Sequence, residues 1–187
     1  MAATLTKDDP NKGIVGPLIF SLQAAVIQQH LDDALQKGAI IYCGGKIEDH
    51  RGAKWIAPTV LGNVDHSMLI MTEETFGPIM PVMAFCRPEQ AVALANDTSY
   101  GLSAAVFGKD EESALSVAKH INAGGISIND AGLTSMVFET EKSAFGYSGM
   151  GPSRVGGSGL TRFLRQQSLY VNRGDVLPIT VYSEQPI

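Results

Sequence analysis

Apolar residues fall at helical spacing between Ser21 and Lys37. Ala24, Ile27, Leu31, Ala34 and Leu35 make one stripe, so this stretch predicts an amphipathic helix. Ser21 stands where an N-cap belongs, and Gly38 where a left-handed C-terminal residue belongs. Ala39–Cys43 is a short apolar run, which predicts a strand ended by Gly44-Gly45. The charged stretch 46–54 reads as a loop. Trp55–Leu61 reads as a strand, which Pro58 assigns to a sheet edge. Ile79–Phe85 predicts a strand at a sheet margin because of Pro81. A helix opening at Pro88 and running to about Ala95 follows it. Leu102–Phe107 predicts a strand, Asp110 caps a helix to about Ile121, and Ile126–Ile128 is the next strand. Strands alternating with helices over short connections predict right-handed parallel crossovers and an α/β fold.

The flanks are less regular. Residues 1–20, with Pro10, Gly13, Gly16 and Pro17, read as a lead-in loop. Residues 130–153 read as one long irregular segment. A short helix over 157–165 and a strand over Leu169–Asn172 come next. Val176–Tyr182 is an apolar terminal strand that calls for a partner, such as another subunit.

The chain of 187 residues is long enough for one domain with a real core. Its net charge of −5, with scattered Lys and Arg, argues against a nucleic-acid surface. No apolar stretch approaches the roughly 20 residues that span a bilayer. The first residues lack the layout of a signal peptide. A cytoplasmic protein is the expectation.

Few residues suggest chemistry. Cys43 and Cys86 each close an apolar strand, and both read as buried structural cysteines. The histidines are dispersed. His30 and His120 lie in helices, His50 and His66 in polar loops, and all four read as surface or capping residues. No metal-ligand spacing occurs. The glycine clusters 149–151 and 156–159 match no phosphate loop and read as backbone turns. Phe138 and Phe145, in the long segment, suit either core plugs or the lining of a small-molecule pocket.

Glu73-Glu74-Thr75-Phe76-Gly77-Pro78 is the densest candidate. Side chains alternate in an extended chain, so Glu74 and Phe76 point the same way. A carboxylate accepts two hydroxyl hydrogens of one sugar, and an aromatic ring packs on a flat heterocycle. That pair suits a nicotinamide riboside, while two glutamates before a Gly-Pro turn also suit a solvated loop.

This segment resembles the Glu-Glu-apolar-Phe-Gly-Pro signature of the aldehyde dehydrogenase superfamily, with Thr75 in place of the usual aliphatic residue. The run Ala93–Phe107 is similar to the family's next block. Gly16-Pro17-Leu18, Ala57-Pro58-Thr59-Val60 and the loop around Phe145 fall in family-like order and spacing. The resemblance covers the chain nearly end to end and corresponds to the family's C-terminal part. It implies a parallel-sheet, three-layer α/β catalytic domain of aldehyde dehydrogenase type with a terminal β-strand extension. Residues 1–20 would be a lead-in, 21–172 the catalytic-domain part and 173–187 an oligomerisation strand.

By the same resemblance, Glu74 would bind the nicotinamide ribose hydroxyls of NAD or NADP, and Phe76 would pack on the nicotinamide. Phe145, with Phe138, would line the aldehyde path, and the terminal strand would support a homo-oligomer such as a dimer. The family's nucleophilic cysteine and nucleotide-binding half are expected upstream of Met1, and neither Cys43 nor Cys86 matches the nucleophile. The chain is therefore expected to contribute no catalytic residue and to bind cofactor only weakly alone. Two alternatives are a non-catalytic association module and part of a related acyl-thioester or acyl-phosphate reductase. The stretch 145–151 is shorter than the family's Phe-Gly-Gly loop.

Overall fold

A computed structural model describes residues 4–9, 11–153 and 155–175. The elements are α1 (Gln23–Gln36), β1 (Ile40–Cys43), β2 (Ile47–His50), β3 (Ala53–Ile56), β4 (Thr59–Gly62), α2 (Leu69–Thr72), β5 (Ile79–Pro81), α3 (Pro88–Asn96), β6 (Tyr100–Gly101), β7 (Ser103–Val106), α4 (Glu111–Ala118), β8 (Gly125–Ile128), α5 (Leu133–Met136), β9 (Ser143–Gly146) and β10 (Gly151–Pro152). A 3₁₀ turn covers Gly157–Phe163.

The core forms where α1 lies on β1 and β4. Ile27, Leu31 and Ala34 pack with Ala39, Ile56, Leu61, Val64, Met68 and Ile70. Leu35, placed on the stripe by periodicity, lies on its exposed margin. α1 ends in a Schellman motif: Gly38 has φ +97°, its N–H donates to the Leu35 carbonyl, and the Ala39 N–H donates to that of Ala34. The N-terminal expectation needs correction. Ser21 makes no side-chain cap, because the chain already coils there and Leu22 has helical angles.

The α/β class holds. β4 pairs in parallel with β5, and β7 pairs in parallel with β8 across α4. β5 and β7 are not neighbours, however. The described strands form separate ladders, ordered β1-β4-β5, β10-β9-β6, β2-β3 and β7-β8. Pro81 limits β5 to three residues at the margin of its ladder, as its missing N–H requires.

Four further expectations are corrected. Residues 46–54 are mostly a β-hairpin. Arg51 and Gly52, at φ +52° and +78°, close its two-residue turn, and Asp49 pairs with Lys54 across the strands. Trp55–Leu61 is broken at Ala57-Pro58 into β3 and β4, and β4 is the central strand of its ladder. Pro58 lies in the break, where no ladder donor is needed. Residues 130–153 contain α5, β9 and β10. Leu169–Asn172 forms no strand, because no described strand lies beside it.

Residues 4–15 are also more ordered than a loose lead-in. Leu5 is buried and bridges Val15 in parallel, and the Leu18 N–H donates to the Lys54 carbonyl. The apolar segment Val176–Tyr182 lies outside the described residues. Among the described residues, no helix is long and apolar enough to cross a membrane.

Candidate functional site

The Glu73–Pro78 segment leaves α2 in extended conformation, with Glu73 at φ −103° and ψ 156°. Glu74 and Phe76 are exposed, whereas Thr75 between them is half-buried. The segment then folds tightly. The Gly77 N–H donates to the Thr75 carbonyl at 3.0 Å, and the Ile79 N–H to the Gly77 carbonyl at 2.8 Å. The Thr59 N–H, at the start of the central strand, donates to the Pro78 carbonyl at 2.8 Å. The segment is thereby fastened to the sheet where β4 and β5 begin.

Its other face rests on α1. A Cβ at Gly77 would come within 2.6 Å of Ile27 Cδ1, so the chain lies close on α1 here and a larger residue would push the Ile27 side-chain tip aside. One turn along, buried His30 shares a hydrogen bond of 2.6 Å between its Nδ1 and the Thr75 hydroxyl. Asp33 accepts the Leu69 N–H at 2.8 Å, and Lys37 pairs with Asp33 at 2.7 Å while donating to the Ser67 carbonyl. The Lys37 ammonium, then the Leu69 N–H, hold the Asp33 carboxyl below its ordinary range. Ile27, His30, Asp33 and Lys37 lie three to four residues apart, so one ridge of the helix meets both the segment and the start of α2 that leads into it.

Two hollows open on the outward side. Phe76, 66% exposed, lines an apolar one of about 450 Å³ with Pro17, Leu18, Phe20 and Pro78. Glu74 lines another of about 330 Å³ with Tyr100, Gly101, Asn122 and Ser148. The two side chains enter different hollows. Each hollow joins blocks far apart in sequence: residues 16–18 meet 76–78, and 95–104 meet Glu74. Glu74 makes no hydrogen bond or ion pair among the described residues.

Phe145, 39% exposed, lies on β9 opposite Gly101, a residue of the Glu74 hollow. The Gly101 N–H donates to the Ser148 hydroxyl at 3.0 Å. Phe138 is exposed after α5 and lines neither hollow; its carbonyl accepts the Gly156 N–H at 2.8 Å. Gly146, at φ +54°, packs against the Ser99 carbonyl, which fastens this loop to β6.

Expectations for the thiols and histidines change. Cys43 and Cys86 are both exposed: Cys43 ends β1 at the surface, and Cys86 lies in the bend before α3 rather than on a strand. His30 is 5% exposed and belongs to the core face. Its place between Ile27 and Leu31 on the apolar stripe was the available signal. His50 lies on β2, and His120 follows α4, its Nδ1 bonded to the Ser116 carbonyl. His66 pairs with Asp97 at 2.8 Å. Among the described residues, no group of three or more His, Cys, Asp or Glu is placed to hold a metal.

The chain has many relatives. The model of the aldehyde dehydrogenase family matches residues 1–169. A protein of Staphylococcus haemolyticus designated an aldehyde dehydrogenase is 37% identical over 158 residues, 83% of this chain and 32% of the relative. The chain therefore spans about a third of the length of the curated relatives it matches. Among solved structures, the protein designated aldehyde dehydrogenase PutA from Anabaena variabilis is 55% identical, with a TM-score of 0.85 over 94% of this chain and 38% of that one. A point mutant of betaine aldehyde dehydrogenase from Staphylococcus aureus, in complex with NAD+, is 33% identical, with a TM-score of 0.79 over 90% of this chain and 34% of that one. With a family match along most of the sequence and the same fold at these identities, the chain belongs to the aldehyde dehydrogenase family.

Proposed function

We propose that this chain forms the nicotinamide-ribose wall of an NAD(P)-dependent aldehyde dehydrogenase, which oxidises an aldehyde to a carboxylic acid. One observation carries the reading: Glu74 and Phe76 are exposed on a fastened segment, with Thr75 half-buried between them and bonded to His30. The residues fit such a group. The Glu74 carboxylate has no partner among the described residues, so both oxygens can accept ribose hydroxyls. The Phe76 ring is open to a flat heterocycle beside an apolar hollow. When bound, the nicotinamide supplies hydride acceptance. The chain's own part is to orient the ribose and to shield the ring from water. Phe145, beside the Glu74 hollow, with Phe138, would line the approach of the aldehyde.

The attacking thiol belongs to another part of the complete enzyme, and this chain alone turns over no aldehyde. Purified chain mixed with an aldehyde and NAD+ should give no NADH absorbance. Turnover that disappears on Cys43→Ser or Cys86→Ser substitution would overturn this assignment.

A further inference from the structure

We infer that His30 is a positioning residue for the Glu74–Phe76 pair, acting through its hydrogen bond to Thr75. The inference rests on the cofactor reading above and adds a residue to it. His30 is buried, and the partner its Nδ1 finds is the hydroxyl of the residue between the two proposed cofactor contacts. Thr75 adjoins both residues in the chain, so holding its side chain restricts the backbone from which Glu74 and Phe76 project, and its carbonyl also accepts the Gly77 N–H across Phe76. The other contacts of the ridge lie elsewhere: Ile27 beneath Gly77, and Asp33 on the Leu69 N–H and Lys37 on the Ser67 carbonyl at the start of α2, ahead of the segment. Among the described residues, the His30–Thr75 bond is the one side-chain hydrogen bond from α1 to the Glu73–Pro78 segment. Thr75 is also where the family-like signature departs from its aliphatic form. A half-buried hydroxyl there is favourable when a polar group meets it, and His30 is that group.

The test uses the full chain, with Thr75→Val to remove the hydroxyl at constant shape, Thr75→Ser to keep it, and His30→Gln. Amide hydrogen exchange at Glu73 and Gly77, together with the imidazole ¹⁵N shifts of His30, gives the readout. Thr75→Val should speed exchange at Gly77 roughly tenfold and move the His30 signals, with the α1 amides of Leu31 and Ala34 unchanged. Thr75→Ser should resemble the parent chain, and His30→Gln should reproduce the faster Gly77 exchange. Unchanged Gly77 exchange in Thr75→Val or His30→Gln, or equal acceleration throughout α1, would overturn the inference.

An NAD+ titration separates the two readings. Because the chain alone is expected to bind weakly, the titration runs to the highest soluble NAD+ concentration; no shift at Glu74 or Phe76 in the parent chain there defeats the cofactor assignment and leaves the His30–Thr75 exchange result standing. NAD+ shifts identical in the parent and Thr75→Val chains defeat the positioning role alone.

Discussion

Thr59→Val tests how the start of β4, to which the segment is fastened, is held in place. Thr59 is 1% exposed, and its hydroxyl works twice, donating to the Ala57 carbonyl at 2.8 Å and accepting the Gly45 N–H at 2.7 Å. Valine has the same shape and more apolar surface, so transfer free energy alone predicts a neutral or stabilising change. The hydrogen bonds predict the reverse. Each is worth about 1 kcal/mol net, and its loss leaves a half-buried Gly45 N–H and Ala57 carbonyl. The variant should therefore lose about 2 kcal/mol, which lowers Tm by roughly 4–8 °C for a chain of this size. Thr59→Ser keeps both bonds and removes one methyl, at a cost of about 0.8 kcal/mol. Urea and thermal unfolding followed by circular dichroism should rank the parent above serine and serine above valine. Valine equal to or above the parent would refute the reasoning.

Two further outcomes follow. The carboxyls of Asp33, Asp49, Asp65, Asp110 and Glu48 are held below their ordinary range, chiefly by Lys37, Lys54, Ser67, Ser113 and Lys7 respectively. The folded state thus binds fewer protons than the unfolded one, so the stability they supply is complete above about pH 4 and is lost as pH falls through the depressed values. Tm should be level from pH 7 to 5 as far as these groups act and should drop below pH 4; a Tm that holds or rises toward pH 3 would contradict this. We also propose self-association through residues 173–187, motivated by exposed Leu169, Tyr170 and Val171 just before them. Sizing with and without 175–187 checks it, and a monomer in both cases would end it.

The elements legible from the chain are those whose signals are local. Asp110 caps α4 by accepting the Ser113 N–H, Pro88 opens α3, and Gly38 closes α1 in the left-handed region, each as its residue type demands. Elements whose strand pairing carries no local sequence signal differ from the expectation. The β2–β3 hairpin has four cross-strand pairs but turns on Arg51-Gly52, which lacks the usual Asn-Gly signal. Leu169–Asn172 has strand-like composition and no neighbouring strand among the described residues. The ladder β10-β9-β6 joins residues 100 and 146, a pairing that local periodicity does not encode.

The candidate site divides the same way. The outward direction of Glu74 and Phe76 follows from alternation along a few residues, so it was legible. Their support comes from α1, some 45 residues earlier at the His30–Thr75 bond. Helical spacing marks position 30 as buried, and the signature marks Thr75 as a departure, but neither pattern names the other residue. The physical link is that a buried polar group left without a partner costs about 1–3 kcal/mol. Valine at 75 would orphan the His30 imidazole, and leucine at 30 would orphan the Thr75 hydroxyl. The unexpected histidine on an apolar stripe and the unexpected threonine in an apolar slot are therefore coupled, and changing one alone should destabilise the segment more than changing both to apolar residues.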